Sequence, residues 1–233
     1  MRMKKKFWKS IKLKEINFKF GIFLDDKILK TPQKNDCIFF SKKIANLLIK
    51  EWSYIDHEIN INNMPITQIC FASLDREKKE QNILYRKLLD YGMTDLLFYR
   101  ADFGTELAKL QSKKWDKILD LAKNEFNLNF KVVNGLMPVE QPKKNYGIFL
   151  QELKKLDCFS LTVISDVVTT TGSLIIGLLL LRKKMLPKQA WLISRVDEDW
   201  QREEWGTISD HLEVDEYKKK KFLISCKIIN NLN

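Results

Sequence analysis

The chain is poor in the residues that most often carry chemistry. Among 233 residues there are two histidines, four cysteines and eight glycines. The histidines, His57 and His211, belong to no HExxH-type cluster, and for His57, beside Asp56 and Glu58, a solvated turn is the economical reading. Cys37, Cys70, Cys158 and Cys226 are scattered without a CxxC pair. That spacing suggests neither a zinc site nor a disulfide framework, and they read as reduced thiols. The glycines form neither GxGxxG nor a Walker loop, so no nucleotide cradle is visible. The longest apolar run, Leu174–Leu181, falls far short of the roughly 20 residues that span a bilayer. No cofactor, no metal and no stable membrane insertion are expected, and no catalytic residue can be named.

What is present is positive charge. The formal net charge is +11, and 14 Lys/Arg against 4 Asp/Glu within residues 1–50 account for ten of it. A basic first lobe could meet nucleic acid, an anionic membrane surface or an acidic protein patch. No arginine-rich helix or aromatic-basic recognition motif accompanies the charge, so nucleic acid is not the expected partner.

Against this background the segment 194–206, SRVDEDWQREEWG, stands out. Five of the eight residues 197–204 are acidic, and Trp200 and Trp205 are interleaved with them. On a helical wheel Ile193, Val196 and Trp200 form a core stripe. Arg195 and Arg202 lie opposite, with Glu198 placed to pair with Arg202 at i,i+4. A second stripe runs through Ser194, Glu198, Gln201 and Trp205. Carboxylate, amide and indole on one ribbon suit a protein-binding surface, since tryptophan supplies contact area and polar groups fix register. A hydrolase using the 197–204 acids is the competing reading, but no partner base, metal ligand or oxyanion donor accompanies them.

The pattern along the chain predicts an α+β protein. Residues 18–24 alternate as a strand, Asp25-Asp26 signals a turn, and 27–30 and 37–40 read as further short strands, together a hairpin or meander. Ser41 caps a helix carrying Ile44, Leu47, Leu48 and Trp52. Residues 60–65 are turn-rich and mark a boundary between a small β-rich N-terminal domain, 1–65, and a mostly helical C-terminal domain, 66–233. Helical patterns cover 66–91, 104–126, 145–156, 159–182, 187–205 and 211–229. Residues 129–135 are a short strand-like piece, a candidate to join the N-terminal sheet. Thr169–Ser173, TTTGS, superficially suggests a nucleophile turn, but its apolar flanks favour helix packing with hydroxyls bonded back to carbonyls.

Residues spread along most of the chain carry a family likeness. They are Phe7-Trp8-Lys9, Thr31-Pro32, Glu51-Trp52, Met64-Pro65-Ile66-Thr67, Asp75-Arg76, Tyr91-Gly92-Met93-Thr94-Asp95-Leu96-Leu97 and Tyr99-Arg100-Ala101. Further on come Trp115-Asp116, Met137-Pro138-Val139, Gly172-Ser173-Leu174, Ser194-Arg195, Asp197-Glu198, Gln201 and Trp205-Gly206. In order and spacing the sequence resembles the assembly chaperones of the ATP synthase F1 α subunit, the family of mitochondrial F1 complex assembly factor 2. Phe98, Trp200 and Glu203-Glu204 depart from the family pattern, as do residues 69–73.

The resemblance implies a non-enzymatic chaperone that binds the free α subunit and shields the surface that later pairs with β. It also implies a β-rich lobe followed by a helical lobe. The expected contact residues are Ser194, Asp197, Glu198, Gln201 and Trp205, on a protein monomeric when free. Because Phe7-Trp8-Lys9 sits so near the first residue, a bacterial cytoplasmic protein is expected, or a mitochondrial matrix protein if processed.

Overall fold

The computed structural model describes residues 4–76, 78–135, 137–206 and 209–232. The chain opens with β1 (Lys4–Lys5), then β2 (Ile11–Ile16) and β3 (Lys19–Leu24), an antiparallel hairpin in which Ile16 pairs with Lys19. Asn17 and Phe18, both at positive φ (48° and 62°), make the two-residue turn that matches the strand twist. Phe18 therefore belongs to the turn and not to the strand predicted from residue 18. Two short strands, β4 (Lys27–Ile28) and β5 (Ile38–Phe39), both pair with β3. At the β3–β4 turn the Asp25 carboxylate accepts from the Ser10 and Lys9 amides (2.8 and 3.1 Å), which holds its pKa below the usual range.

Ser41 caps α1 (Lys42–Ser53) as expected, its hydroxyl accepting from the Ile44 amide. The buried face of α1, Ile44, Ala45, Leu48 and Trp52, lies across the sheet. Trp52 also meets Trp8, with ring centroids 5.1 Å apart. β6 (Glu58–Ile59) returns to pair with β1, and a 3₁₀ turn at Ile61–Asn63 leads into the helices.

The helical part comprises α2 (Pro65–Leu74), α3 (Lys78–Met93), α4 (Glu106–Phe126), α5 (Lys143–Lys154), α6 (Cys158–Thr171), α7 (Leu174–Leu181), α8 (Pro187–Ser194), α9 (Val196–Trp205) and α10 (Ser209–Ile229). β7 (Tyr99–Arg100) and β8 (Val133–Asn134) lie between them. The architecture is α+β. The side chain of His211 lies outside the described residues.

Three segments predicted as continuous helices are each broken once, for local reasons. The 66–91 pattern stops at Asp75, where the cap amide closes onto Phe71 O. The 159–182 pattern stops at Gly172 (φ 70°), a left-handed cap, and Ser173 then caps α7 by accepting from the Ile176 amide. The 187–205 pattern stops at Arg195 (φ −115°, ψ 15°). Residues 129–135 do not join the N-terminal sheet. β8 pairs in parallel with β7, Gly135 N donates to Arg100 O (2.8 Å), and Asn134 Nδ2 donates to Ala101 O. A strand of two residues is set by such anchors and not by its hydrophobic pattern.

One cluster of buried side chains runs from Trp8 to Ile229 and includes residues on both sides of position 65. At its centre is α7, seven of whose eight residues are buried, with the TTTGS turn alongside. Thr170 and Thr171 donate to the carbonyls of Asp166 and Val167, the packing role expected of them. Burial pushes the Cys37 and Cys226 thiols up to about 12, which leaves them unreactive.

Gly92 lets α3 approach this centre closely. A Cβ there would sit 2.7 Å from Leu174 Cδ2 and 2.9 Å from Phe149 Cδ2. Gly92→Ala is thus expected to destabilise the fold by about 2 kcal/mol through overpacking, despite alanine's better helix propensity. Urea unfolding at fixed pH measures it, and an unchanged midpoint would contradict the packing.

Candidate functional site

The acidic-aromatic segment forms the surface helix α9. Its first turn holds Asp197, Glu198 and Asp199, where the helix dipole favours negative charge. Two arginines gather most of that acidity. Arg195 Nη1 donates to Glu198 (2.7 Å) and Nη2 to Asp215 of α10 (3.3 Å). Arg202 pairs with Asp199 (3.3 Å) and also with Asp215. The predicted Glu198–Arg202 pair is not formed, because Asp215 arrives from α10 and takes Arg202. Single exposed pairs of this kind are worth under about 1 kcal/mol, but Asp215 is only 17% exposed and ties both arginines into one network.

The inner side of α9 rests on α4. Asp197 accepts from Gln111 Nε2 (2.7 Å), and Gln111 Oε1 accepts from the Ala101 amide (2.7 Å). Burial pushes the Asp197 carboxyl above its ordinary value, opposed by the Gln111 bond and by the charge of Arg100. Arg100 is itself buried, donating to Leu97 O (2.6 Å) and Asp116 (2.8 Å), with its guanidinium 4.8 Å from the Trp115 ring centre. Trp115, fully buried, donates its indole N–H to Ile193 O (2.8 Å).

These contacts sort the five predicted contact residues. Glu198 (side chain 41% exposed), Gln201 and Trp205 share the open side of α9, and Trp205 is 80% exposed at its last turn. Ser194 is not on that surface. It is buried at the end of α8, its hydroxyl donating to Trp191 O, because the break at Arg195 turns the helix before the wheel's stripe begins. Asp197 is partly buried and faces α4. Trp200 is only half-buried, whereas Ile193 and Val196 belong to the core as predicted. Val214 and Tyr217, flanking Asp215 on α10, are more than half exposed.

Among the described residues no three His, Cys, Asp or Glu side chains are placed to hold a metal ion. The residues that sequence reasoning missed are those that seat α9. Arg100 lies in a quoted motif, but nothing local marked Gln111 or Asp215.

A family profile described as ATP12 chaperone protein matches residues 5–123, just over half of the chain. The chain belongs to the ATP12 chaperone family. It is a chaperone of ATP synthase assembly and not an enzyme. The crystal structure of Atp12 from Paracoccus denitrificans is 29% identical and superposes with a TM-score of 0.92 over 98% of each chain. A putative chaperone from Agrobacterium tumefaciens, Atu1473, is 29% identical with a TM-score of 0.93, over 99% of this chain and 87% of that one. Among curated proteins, mitochondrial atp12 of Schizosaccharomyces pombe is 22% identical over 97% of this chain and 82% of its own length.

The residues that carried the ATP12 likeness meet in space as tie points of the fold. Glu51 accepts from the amides of Ile66 and Thr67 at the start of α2, and Trp52 Nε1 donates to the Thr67 hydroxyl. Thr31 donates to Asp75, and Asn35 Nδ2 donates to the same carboxylate (2.7 Å). Asp95 receives the amides of Leu97 and Ile175 across the Gly172–Ser173 turn. Much of the family pattern therefore specifies the scaffold. Gln201 and Trp205 have no such structural partner among the bonds described.

Proposed function

We propose that this ATP12-family chaperone binds the free F1 α subunit of ATP synthase and shields its subunit interface until β replaces it. The contact surface is the open side of α9, centred on Trp205 with Gln201 and Glu198 beside it. Asp197 acts behind that surface, holding α9 to α4. The observation that carries this is an indole 80% exposed at the end of a helix that is pinned on its other sides by Gln111 and Asp215. A large exposed aromatic on a rigid base is the arrangement of an interface hot spot. A polar rim of Glu198 and Gln201 suits release, since an obligate, wholly apolar surface would hold its client permanently.

No described helix is long and apolar enough to cross a membrane. The chaperone works as a monomer when free, in the bacterial cytoplasm or, as a processed form, in the mitochondrial matrix.

Co-expression of the tagged chain with α, and separately with β, is the direct test. Purification is expected to enrich α and not β, at one chaperone per α by size-exclusion chromatography. Equal recovery of β, or no recovery of α, removes the proposal.

A further inference from the structure

Among the described residues, the helix that packs on the sheet of β2–β5 is on one face. α1 lies across it, and Leu13, Phe20, Ile22, Leu24 and Phe39 turn inward to the core beneath that helix. Strand alternation sends Lys12, Lys14, Ile16, Lys19, Phe23 and Ile38 to the opposite face. Ile16, Phe23, Ile28 and Ile38 are half-buried, yet none of them joins the protein's core cluster. Ile16, Phe23 and Ile28 close over Gly21, where a Cβ would come within 3.0 Å of Ile16 Cδ1 and 3.2 Å of Phe23 Cε2. At the rim two phenylalanines stand out from the surface, Phe18 at 90% and Phe40 at 75% exposure. Lysines sit over this apolar ground, with Lys14 Nζ and Lys19 Nζ each 4.5 Å from the ring centres of Phe23 and Phe40. Asp26 lies 4.0 Å from Lys14.

We infer that this outer sheet face docks on an anionic lipid bilayer surface, with Phe18 and Phe40 entering the headgroup boundary and Lys12, Lys14 and Lys19 facing lipid phosphates. The charge is of the right sign and kind. Residues 4–50 hold thirteen lysines and no arginine. Protein interfaces are depleted in lysine and enriched in arginine, and nucleic-acid sites also favour arginine's planar fork. Lysine's flexible stem can lie on apolar surface while its ammonium stays at the phosphate level. Exposed rings beside diffuse positive charge are the features of an interfacial anchor that rests on the membrane without crossing it.

The test is sedimentation of the full chain with vesicles of phosphatidylcholine alone, or of phosphatidylcholine mixed with phosphatidylglycerol, at increasing salt. Binding is expected to the mixed vesicles only and to weaken as salt rises, by the screening of surface charge. The double variant Phe18→Asn/Phe40→Ser is expected to lose roughly tenfold in partitioning, and each of Lys12→Glu, Lys14→Glu and Lys19→Glu at least fivefold. Asparagine is well suited to the positive φ at position 18, and position 40 is exposed, so the fold is retained. Equal binding to both vesicle types, or wild-type binding by the double variant, overturns the inference. So does a double variant that binds vesicles normally but loses an oligonucleotide or an ATP synthase subunit. Trp205→Ala is expected to bind vesicles like the wild type, so failure of the α-subunit proposal and failure of this one are read separately.

Discussion

Asp95→Ala is expected to lower the free energy of unfolding by about 3 kcal/mol, measured by urea denaturation. The carboxylate has no solvent exposure and sits between the end of α3 and the start of α7. It accepts from Leu97 N (3.1 Å) and Ile175 N (3.0 Å), with the Leu174 amide and the Ser173 hydroxyl also directed at it. Alanine would strand those donors in a dry interior, where each unsatisfied group costs about 1–3 kcal/mol.

A pH signature accompanies this. Burial pushes the Asp95 carboxyl up to about 7 from an ordinary 3.8, against the opposing pull of its donors. A folded-state pKa above the unfolded value means the folded protein holds the proton more tightly between those limits. This group's contribution is therefore fully present below pH 3.8, and it declines as pH rises through that window, flattening above about 7. Asp95→Asn cannot titrate. The difference in unfolding free energy between wild type and Asp95→Asn should thus change across the window, and a difference independent of pH would contradict the assignment.

Trp205→Ala is expected to weaken α-subunit capture by roughly 2 kcal/mol, about thirtyfold in Kd. Its thermal midpoint should stay close to that of the wild type, because an exposed side chain contributes little to folding. Glu198→Ala should weaken capture less and is expected to cost stability slightly. Glu198 is one of two carboxylates on Arg195, a residue only 9% exposed whose Nε has no hydrogen-bond partner among the described residues. Titration calorimetry with purified α, beside a thermal melt, separates the two effects. If Trp205→Ala captures α as tightly as the wild type, α9 is not the contact surface. A large fall in its midpoint would instead make Trp205 a structural residue.

How much of this was legible beforehand follows from the range of the forces involved. The Asp25-Asp26 turn, the Ser41 cap and the inward face of α1 are local, set by turn chemistry and by side-chain periods of two and 3.6. The amphipathic pattern of α9 likewise showed in its residues, and with it the open Gln201 and Trp205. The Arg195 break did not show, because a wheel assumes unbroken helical dihedrals. That single error placed Ser194 on the surface when it is buried against Trp191.

The sequence alone determined the α+β class, the positions of most helices and the membership signalled by scattered motifs. It could do so because caps, periodicity and motif order are properties of neighbouring residues. Only the tertiary structure decided that Thr31 meets Asp75, that Glu51 caps α2, that β8 pairs with β7 and that Asp215 takes Arg202 from Glu198. Those contacts join residues far apart in the chain, and their partners are selected by packing geometry, which no local pattern encodes.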